Sequence, residues 1–346
     1  MENNQKNSNN NSSNSSNSSN SSNSSNNIDG DNKTFTNEKA NTNENVMEEV
    51  NCNLCNSNDF NVIYHSKYDK ISQQELAEKF RSSGDELLLD QMVMCNRCKL
   101  QYVNPRIKSE FIIKGYSEGT DENFISQASS REMTFNKALK HIEKFTNGKK
   151  GKIYDIGTAG GSFLQAAKKR NWEVYGTEPN KWLVNWCKEN YGFEILQGDM
   201  FSHHFKDNFF DVVTLWDVLE HVPDPTKNLN EIRRILKKDG LLIVNYPDIG
   251  SWISKLLGRK WMFLLSVHLF YFDRKTIKKM LRKVGFEIVK IKPHFQTLRL
   301  GYLMYRMKAY SNLLHKVGMP IIKTLRLNNL EIPYWLGQTL VIAKKR

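Results

Sequence analysis

Four of the five cysteines stand in two Cys-x-x-Cys pairs, Cys52–Cys55 and Cys95–Cys98. A turn of this type points two thiolates at one ion about 2.3 Å away, and two such turns complete a tetrahedral zinc site. The 39 residues between the pairs exceed the usual zinc-ribbon interval, but the entropy of closing a loop grows slowly with length. A disulfide or a redox pair is the weaker interpretation, since no thioredoxin-like β-α-β pattern surrounds either pair. Four thiolates leave no open coordination position, so we predict one structural zinc ion held by Cys52, Cys55, Cys95 and Cys98.

A second set of chemically capable side chains is acidic, and each lies at or just after the end of an apolar run typical of a buried strand. These residues are Asp155, Glu178, Asp199 and Asp217. The carboxyl ends of parallel strands meet at one edge of a sheet, where ligands bind in folds of this class. We therefore expect the four carboxylates to line one ligand site.

The elements that must position these carboxylates alternate between strand and helix from residue 152 onward. The predicted strands are Lys152–Ile156, Glu173–Thr177, Glu194–Leu196, Phe210–Trp216, Leu241–Asn245 and, last and antiparallel, Thr339–Ala343. Helices are predicted between them, for example over Phe163–Arg170 and Leu229–Leu236. This alternation indicates an α/β fold with a doubly wound, mostly parallel sheet and right-handed crossovers.

The turn Gly157-Thr-Ala-Gly-Gly-Ser162 separates the first predicted strand from its helix. A dinucleotide-binding turn would read G-x-G-x-x-G, but Ala159 and Ser162 occupy the second and third glycine positions. Asp155, two places before the first glycine, suits a ligand with a cationic amino group. The following helix N-terminus can receive a ligand carboxylate, and Glu178 can accept both hydroxyls of a ribose.

These stretches resemble a class I S-adenosylmethionine-dependent methyltransferase over residues from about 150 to 346. The matching sequences are DIGTAGGSFL from Asp155, Glu178, GDM at 198–200, FDVVTLWDVLEHVPDP at 210–225, LKKDGLLIVNYPD at 236–248 and HLFYFDRKTIKKMLRKVGF at 268–286. The resemblance implies a Rossmann-like, seven-stranded sheet and S-adenosylmethionine as the cofactor. By the same resemblance, the methionine part lies against Asp155, Gly157 and Gly161, the ribose against Glu178 and the adenine against Asp199 and Met200, with Asp217 flanking the site.

The cysteine pairs, which continue into Leu100-Gln-Tyr-Val-Asn-Pro105, are similar to the start of zinc-bearing bacterial-type methyltransferases, including sugar methyltransferases. This second resemblance implies a small N-terminal zinc-binding lobe and a small-molecule, sugar or lipid-linked acceptor. Asp217-Val-Leu-Glu220 stands where an N-P-P-Y-type tetrad would follow the fourth strand, so O- or C-methylation is favoured over N-methylation. Asp217, Glu220 and His221 also resemble the carboxylate–carboxylate–His set of quinone O-methyltransferases, which can hold magnesium. Quinone-type O-methylation is therefore an alternative.

Removal of a proton from a hydroxyl or an acidic C–H is assisted by a base whose pKa is near 7. His221, after the fourth strand, is one candidate, and His268 is another. Tyr271 offers a further polar group close to His268. The last two belong to an apolar run within residues 249–272 that we expect to cover the acceptor as a lid. Packing is the alternative role for each of these side chains.

Positive charge is concentrated in the last third of the chain. Residues 1–50 contain 3 basic and 7 acidic side chains, residues 51–250 contain 27 of each, and residues 251–346 contain 20 basic and 3 acidic. Such an excess favours an anionic membrane surface, an anionic acceptor or nucleic acid, and the alternative is a solvated surface. Leu298–Leu314, a basic stretch with interleaved tyrosines, is a candidate for a helix on a membrane surface.

Four segments are expected from composition and motifs. Residues 1–50 form an Asn/Ser-rich disordered tail, 51–105 a zinc-ribbon-like segment, 106–150 a connecting helical region and 151–346 the methyltransferase domain. The sequence contains no apolar run long enough to cross a membrane and no secretory signal, so we expect a cytoplasmic chain. A zinc-ribbon RNA-binding methyltransferase and a non-catalytic interaction protein are the competing functions.

Overall fold

The computed structural model describes residues 47–67, 88–117, 119–120, 122–308 and 311–346. Most of the tail predicted over residues 1–50 lies outside these ranges, as does Tyr310, one of the tyrosines in the predicted surface helix.

The two cysteine pairs lie in a small lobe of short antiparallel strands. These strands are Met47–Glu48 (β1), Phe60–Tyr64 (β2), Met92–Cys95 (β3), Gln101–Val103 (β4) and Arg106–Ile107 (β5). β2, β3 and β4 are consecutive neighbours in one sheet, and β1 pairs with β5. The first cysteine pair precedes β2, and the second begins at the last residue of β3 and ends before β4. Because the start of β2 pairs with the end of β3, with Phe60 opposite Cys95, both turns lie at one end of this sheet.

Three helices occupy the region predicted as a helical connection. They are Ser109–Ser117 (α1), Glu122–Ile125 (α2) and Ala128–Phe145 (α3). Leu139 and Ile142 of α3 are fully buried, in one apolar cluster with Ile153 and Phe163 of the next two elements. The long third helix thus covers one face of the main sheet.

The remaining strands alternate with helices, as the sequence predicts. The strands are Lys152–Ile156 (β6), Glu173–Glu178 (β7), Leu196–Gln197 (β8), Phe210–Trp216 (β9), Leu236–Pro247 (β10), Phe270–Tyr271 (β11), Phe286–Pro293 (β12), Gln296–Arg299 (β13), Glu331–Tyr334 (β14) and Gln338–Lys345 (β15). The helices are Ser162–Lys168 (α4), Lys181–Tyr191 (α5), Pro225–Ile235 (α6), Trp252–Leu257 (α7), Arg274–Lys283 (α8), Leu300–Met307 (α9) and Asn312–Thr324 (α10), with a 3₁₀ turn at Gly258–Lys260. None of the described helices combines the length and the apolar character needed to cross a bilayer.

Seven of the described strands form one sheet in the order β12-β15-β10-β9-β6-β7-β8. The pairs from β10 to β8 are all parallel, whereas β15 is antiparallel to both of its neighbours. The predicted Rossmann-like fold is therefore confirmed, including the antiparallel last strand. The strand order reverses between β6 and β9, which is where ligands bind in such sheets.

Alternate residues of the central strands face opposite sides of this sheet, because strand side chains repeat every second position. Ile153, Val212 and Ile243 contribute to the apolar cluster beneath α3 and α4. Val213, one residue after Val212, and Leu242, one residue before Ile243, belong to a separate cluster on the other face. Both faces are buried, which explains the unbroken apolar runs at residues 212–213 of β9 and 241–244 of β10.

The helix predicted over Leu229–Leu236 begins earlier, at Pro225. The Asp224 side chain accepts a hydrogen bond from the backbone N–H of Lys227, and Pro225 occupies the first helical turn. An aspartate cap followed by proline is a strong start signal for a helix. The sequence interpretation placed the start too late because it followed the apolar residues alone.

One strand of the lobe sheet, β11, comes from a much later part of the chain than the others. β11 pairs antiparallel with β4, with Phe270 opposite Tyr102. This strand lies in the segment predicted as a lid over residues 249–272. Within that segment Trp261 and Phe272 are fully buried, so its second half is part of the core, whereas Trp252 at its beginning is exposed. The cover over an acceptor stays a prediction.

Candidate active site

The turn after β6 is shaped by residues in the left-handed backbone region. The angle φ is +63° at Gly157 and +77° at Gly161. A Cβ on Gly157 would lie 3.0 Å from a methyl of Val218, and one on Gly161 would lie 2.6 Å from the sulfur of Cys187. Both positions therefore need glycine for conformation and for space.

Asp155, near the end of β6, is buried at the start of this turn. The hydroxyl of Thr214, on the neighbouring strand β9, donates a hydrogen bond of 2.6 Å to Asp155 Oδ1. Burial raises the pKa of Asp155 to about 7, although the Thr214 bond opposes the shift. A buried carboxyl of this kind gains most from a cationic ligand group placed beside it.

Glu178 ends β7 and is held by two backbone N–H groups. Ala159 donates to Oε2 at 2.8 Å, and Asn180 donates to Oε1 at 2.9 Å. Ala159 achieves this contact with a φ of +50°, unusual for a residue with a Cβ. Burial raises the pKa of Glu178 to about 7, against the effect of these bonds. The carboxyl group is thus fixed in one orientation at the edge of the site.

Asn180 also connects Glu178 to the helical region before the main sheet. Its side-chain amide donates to the backbone carbonyls of Tyr116 and Gly119, at 2.6 Å and 2.8 Å. This contact ties the end of α1 to the end of β7. The sequence analysis missed both partners, because 61 or more residues separate them from Asn180.

Asp199 and Met200 follow β8, the strand at one edge of the seven-stranded sheet. Asp199 Oδ1 accepts hydrogen bonds from the backbone N–H groups of Phe201 and Ser202, at 3.0 Å and 2.9 Å. Met200 is buried in the core on one face of the sheet. The contacts of Asp199 shape the turn after β8, and the roles of both residues toward adenine stay predictions.

Asp217 follows β9 in a left-handed conformation, with φ at +55°. Its Oδ1 accepts a hydrogen bond of 2.6 Å from Asn245 at the end of β10, and its Oδ2 accepts one of 3.3 Å from Gln296. Tyr334 in turn donates to the Gln296 side chain at 2.5 Å. Burial raises the pKa of Asp217 to about 6, whereas the charge of Arg131 lowers it.

Asn245, Gln296 and Tyr334 are site residues that the sequence analysis missed. Only Asn245 had a signal, since it ends a predicted strand beside Asp217. Its Oδ1 and the indole N–H of Trp216 are buried without a hydrogen-bond partner among the described residues. Unsatisfied buried polar atoms at strand ends are what an incoming ligand would pair with.

His221 and His268 are brought together by the fold. Their ring centroids lie 4.6 Å apart. His221 Nδ1 contacts the Val267 carbonyl at 2.9 Å, and His268 Nδ1 contacts the Phe263 carbonyl at 2.8 Å. Each Nδ1 therefore carries the proton, which leaves each Nε2 with a free lone pair. Burial lowers the pKa of His221 to about 4 and also lowers that of His268, so both rings are neutral at pH 7.

Glu220 completes this group. It is 1% exposed, and neither carboxyl oxygen has a hydrogen-bond partner in the described structure. Burial, and then the nearby charge of Asp217, raise its pKa well above the ordinary value. Ligand atoms of Glu220, His221 and His268 all lie within 4.8 Å of one another. The fold therefore groups Glu220 and His221 with His268, while Asp217 is engaged by Asn245 and Gln296.

Tyr271 is placed differently from the histidines. Its hydroxyl donates to the Leu265 carbonyl at 2.8 Å, and its ring is buried in a separate apolar cluster with Trp261 and Leu264. These contacts favour packing, the alternative role given to it above. Its catalytic role stays a prediction without a supporting contact.

The four paired cysteines converge in the lobe. The sulfurs of Cys52 and Cys98 are 3.4 Å apart, those of Cys55 and Cys95 are 3.5 Å apart, and all four lie within 4.8 Å of one another. A tetrahedron with metal–sulfur bonds of about 2.3 Å has edges of about 3.8 Å.

The two cysteine turns have matching backbones, each closing at a residue in the left-handed region. Asn56 donates to the Cys52 carbonyl at 2.7 Å and has a φ of +58°, and Lys99 donates to the Cys95 carbonyl at 2.9 Å and has a φ of +69°. The described structure thus brings four sulfurs from two matching turns close enough together for a single ion to contact all of them.

The first cysteine turn, Cys52–Cys55, contacts the loop that follows His221. The Asn53 side chain donates to Asp224 at 2.8 Å and accepts from the backbone N–H of Thr226 at 3.0 Å. Both partners stand at the start of α6, a few residues after His221. The lobe is thus bonded to the segment that carries the candidate base.

Comparison with known proteins finds similarity in the region that forms the main sheet. A family model described as a methyltransferase domain matches residues 130–291. An uncharacterised protein of Methanocaldococcus jannaschii is 30% identical over 179 residues, which are 51% of this chain and 78% of that protein. A ubiquinone biosynthesis O-methyltransferase of Actinobacillus pleuropneumoniae is 33% identical over 138 residues, which are 36% of this chain and 58% of that enzyme.

Among solved structures, a SAM-dependent methyltransferase from Archaeoglobus fulgidus is 20% identical, with a TM-score of 0.45. The match covers 65% of this chain and 100% of that one. Of the two curated relatives, the match covers 78% of the Methanocaldococcus protein but only 58% of the ubiquinone enzyme.

Proposed function

We propose that this chain, which a methyltransferase-domain model matches over residues 130–291, transfers a methyl group from S-adenosylmethionine to a hydroxyl or an acidic C–H of a small-molecule, sugar or lipid-linked acceptor. The observation that carries the proposal is the row of oriented carboxyl groups at the ends of neighbouring strands. Asp155, Glu178 and Asp217 each have a fixed hydrogen-bond partner and a pKa raised by burial.

The residues of this row fit the cofactor part by part. Glu178 accepts one backbone N–H on each oxygen and also hydrogen-bonds to the Tyr116 side chain. One acceptor position of the carboxylate then remains for a ribose hydroxyl, and movement of Tyr116 would open a second. Asp155 would face the amino group, and the glycine turn would let the backbone approach the methionine part. When bound, S-adenosylmethionine supplies a methyl group on a sulfonium that leaves without further activation. The chain's own task is therefore to orient the acceptor and to exclude water.

Proton removal from the acceptor falls to the group formed by Glu220, His221 and His268. The free Nε2 of His221 can accept a proton, although burial holds the pKa of this ring at about 4 in the free protein. Base catalysis therefore requires Glu220 to lose its own proton, so that its negative charge stabilises the imidazolium and raises the pKa of His221. A positioned base whose pKa is brought toward 7 in this way contributes about 100- to 10,000-fold in rate. His268 would keep the His221 ring in place through their edge-to-face contact.

The cysteine lobe is proposed to hold one structural zinc ion through Cys52, Cys55, Cys95 and Cys98. The support is the close approach of four sulfurs from two matching turns. Zinc in a four-thiolate site stabilises a fold and has no open position for substrate. Through Asn53 its effect would reach the loop that carries His221.

A quinone-type acceptor is a second candidate, favoured by the named ubiquinone relative and by the carboxylate–imidazole group of Glu220, His221 and His268. These ligands can hold a divalent ion. The two candidates differ in their response to added metal, since only the quinone-type reaction is expected to depend on it.

The experiment that tests the proposed function is transfer of a labelled methyl group. Purified chain and labelled S-adenosylmethionine are incubated with a panel of sugars, lipid-linked sugars, quinols and small alcohols, with and without divalent metal. RNA is added as a separate arm. Label in RNA alone would identify the RNA-binding alternative, and failure to bind S-adenosylmethionine in calorimetry would leave the non-catalytic one.

A further inference from the structure

The last two described helices form a hairpin on the surface of the protein. We define the C-terminal hairpin as α9, Leu300–Met307, and α10, Asn312–Thr324. The two helices pack closely where Gly318 faces Met304, whose sulfur would lie 2.9 Å from a Cβ at position 318. Ile322 is the buried residue of α10.

The outer face of α10 is apolar. Leu313, Val317 and Ile321, four residues apart, form a stripe along the helix. Their exposed fractions are 72%, 56% and 53%. Leu314 and Leu325 are also exposed beside this stripe. A contiguous exposed patch of large apolar side chains marks an interaction surface.

The charge around this stripe has one sign. Residues 296–330 contain six Lys or Arg and no Asp or Glu. Lys316 and Lys323 are exposed on α10, next to the stripe on its flank, and Lys308 is exposed at the end of α9. A second copy of the chain would bring the same positive charges together, which disfavours a symmetric dimer through this face.

An anionic lipid surface matches both properties. A helix with a large apolar stripe, lysines at its flank and no acidic residue lies in the plane of a membrane interface. The 13 residues of α10 extend about 20 Å at 1.5 Å per residue, less than the roughly 30 Å of a bilayer core. Such a helix can therefore lie on a bilayer but not cross it.

A single short strand, β13, connects the C-terminal hairpin to Asp217 of the candidate site. β13 leads directly into α9, and its first residue, Gln296, donates to Asp217. β13 pairs with β14, whose Tyr334 donates to the same Gln296. A surface bound by the hairpin would therefore lie close to the chain segment that contacts the site.

We propose that the C-terminal hairpin docks the protein onto an anionic lipid bilayer and that the acceptor is a lipid or lipid-linked molecule taken from that surface. The choice of acceptor rests on the proposed methyltransferase function, whereas the docking itself does not. The apolar stripe enters the interface, and Lys316 and Lys323 contact anionic headgroups.

The test is sedimentation of the full chain with vesicles of phosphatidylcholine alone or mixed with phosphatidylglycerol. We expect binding only to the anionic vesicles, and a steep decrease as salt is raised to physiological strength. Two sets of variants separate the contributions, L313S/V317S/I321S for the apolar stripe and K316E/K323E for the charge. Each is expected to weaken binding by at least about tenfold. All five side chains are exposed, so the variants should retain their folding and their affinity for S-adenosylmethionine.

The matched control is K206E/K238E, which reverses two exposed lysines outside the hairpin and should leave vesicle binding unchanged. Absence of binding to anionic vesicles, or equal binding by L313S/V317S/I321S, overturns the proposal. A dimer in sedimentation velocity that L313S/V317S/I321S dissociates identifies a second copy as the occupant instead. RNA binding that K316E/K323E abolishes and L313S/V317S/I321S retains identifies nucleic acid. If S-adenosylmethionine fails to bind while vesicle binding persists, the methyltransferase function fails and the docking stands.

Discussion

Glu178→Gln is the sharpest test of the cofactor site, because the surroundings of this side chain are fully defined. The glutamate is completely buried, and its oxygens accept the backbone N–H groups of Ala159 at 2.8 Å and Asn180 at 2.9 Å. The Tyr116 side chain also hydrogen-bonds to it. Glutamine keeps the volume but replaces one oxygen with an NH₂ group. That group faces one of the two N–H donors and cannot accept a ribose hydroxyl.

The expected effect on affinity follows from the lost contact. A hydrogen bond to a charged group contributes about 1.5–3 kcal/mol, so the dissociation constant for S-adenosylmethionine should rise about 10- to 150-fold. The free energy of unfolding should also fall by about 1–3 kcal/mol, since one buried N–H loses its acceptor. A smaller loss in affinity than in stability would mean that Glu178 mainly organises the turn.

Calorimetry with S-adenosylmethionine and with 5′-methylthioadenosine shows which part of the cofactor Glu178 contacts. 5′-Methylthioadenosine has the ribose but no amino acid part, so Glu178→Gln should weaken both ligands by a similar factor. Glu194→Gln, at an exposed position close by, is the matched control and should change neither. Equal affinities of Glu178→Gln and wild type would refute the ribose assignment, and loss confined to S-adenosylmethionine would move Glu178 to the methionine part.

Three further predictions concern metal, pH and base catalysis. Cys95→Ser should lose the zinc ion, about one per chain, and lower the melting temperature, while Cys187→Ser keeps the metal, as measured by elemental analysis and thermal unfolding. Because burial raises the pKa of Asp155 to about 7, the free protein holds a proton there below pH 7 that a cationic ligand must displace. Affinity for S-adenosylmethionine should therefore increase from pH 6 to pH 8 with proton release. Glu178, whose pKa is also about 7, would contribute in the same direction, so calorimetry in buffers of different ionisation enthalpy is compared between wild type and Asp155→Asn, and equal proton release by the two would exclude Asp155. His221→Gln should lower kcat by about 100-fold or more at unchanged cofactor affinity, and an unchanged kcat would assign His221 to packing.

The sequence predicts the framework of the site well because strand ends are local. Lys152–Ile156 and Phe210–Trp216 have the predicted bounds, since each is a short apolar run bounded by turn residues. The partners of Asp217 could not be predicted in the same way. Gln296, which donates to Asp217, and Tyr334, which donates to Gln296, lie 79 and 117 residues after Asp217 in the chain. They are brought together only by the tertiary pairing of β13 with β14.

The two histidines also show what the sequence alone does not predict, which is how side chains distant in the chain contact one another. His221 and His268 could be selected by residue type, but their mutual contact depends on the path of the segment between them. Tyr271 was selected for its position near His268, and its hydroxyl instead contacts Leu265. Tyr271 lies in β11, whose pairing partner is β4 of the lobe. Which side of β11 faces the site depends on this pairing, and the spacing of residues along the chain does not reveal it.

The pairing of β11 with β4 also determines how the protein can be divided. A shortened chain that starts at residue 108 would contain every strand of the seven-stranded sheet yet lack the partner of β11. Phe270 and Tyr271 would then present an unpaired edge, and the neighbouring apolar residues that pack on Leu100 and Tyr102 would be exposed to water. Unprotected apolar edges recruit other chains and lead to aggregation. We therefore expect a chain cut near residue 150, the boundary suggested by family resemblance, to aggregate instead of folding as an independent domain.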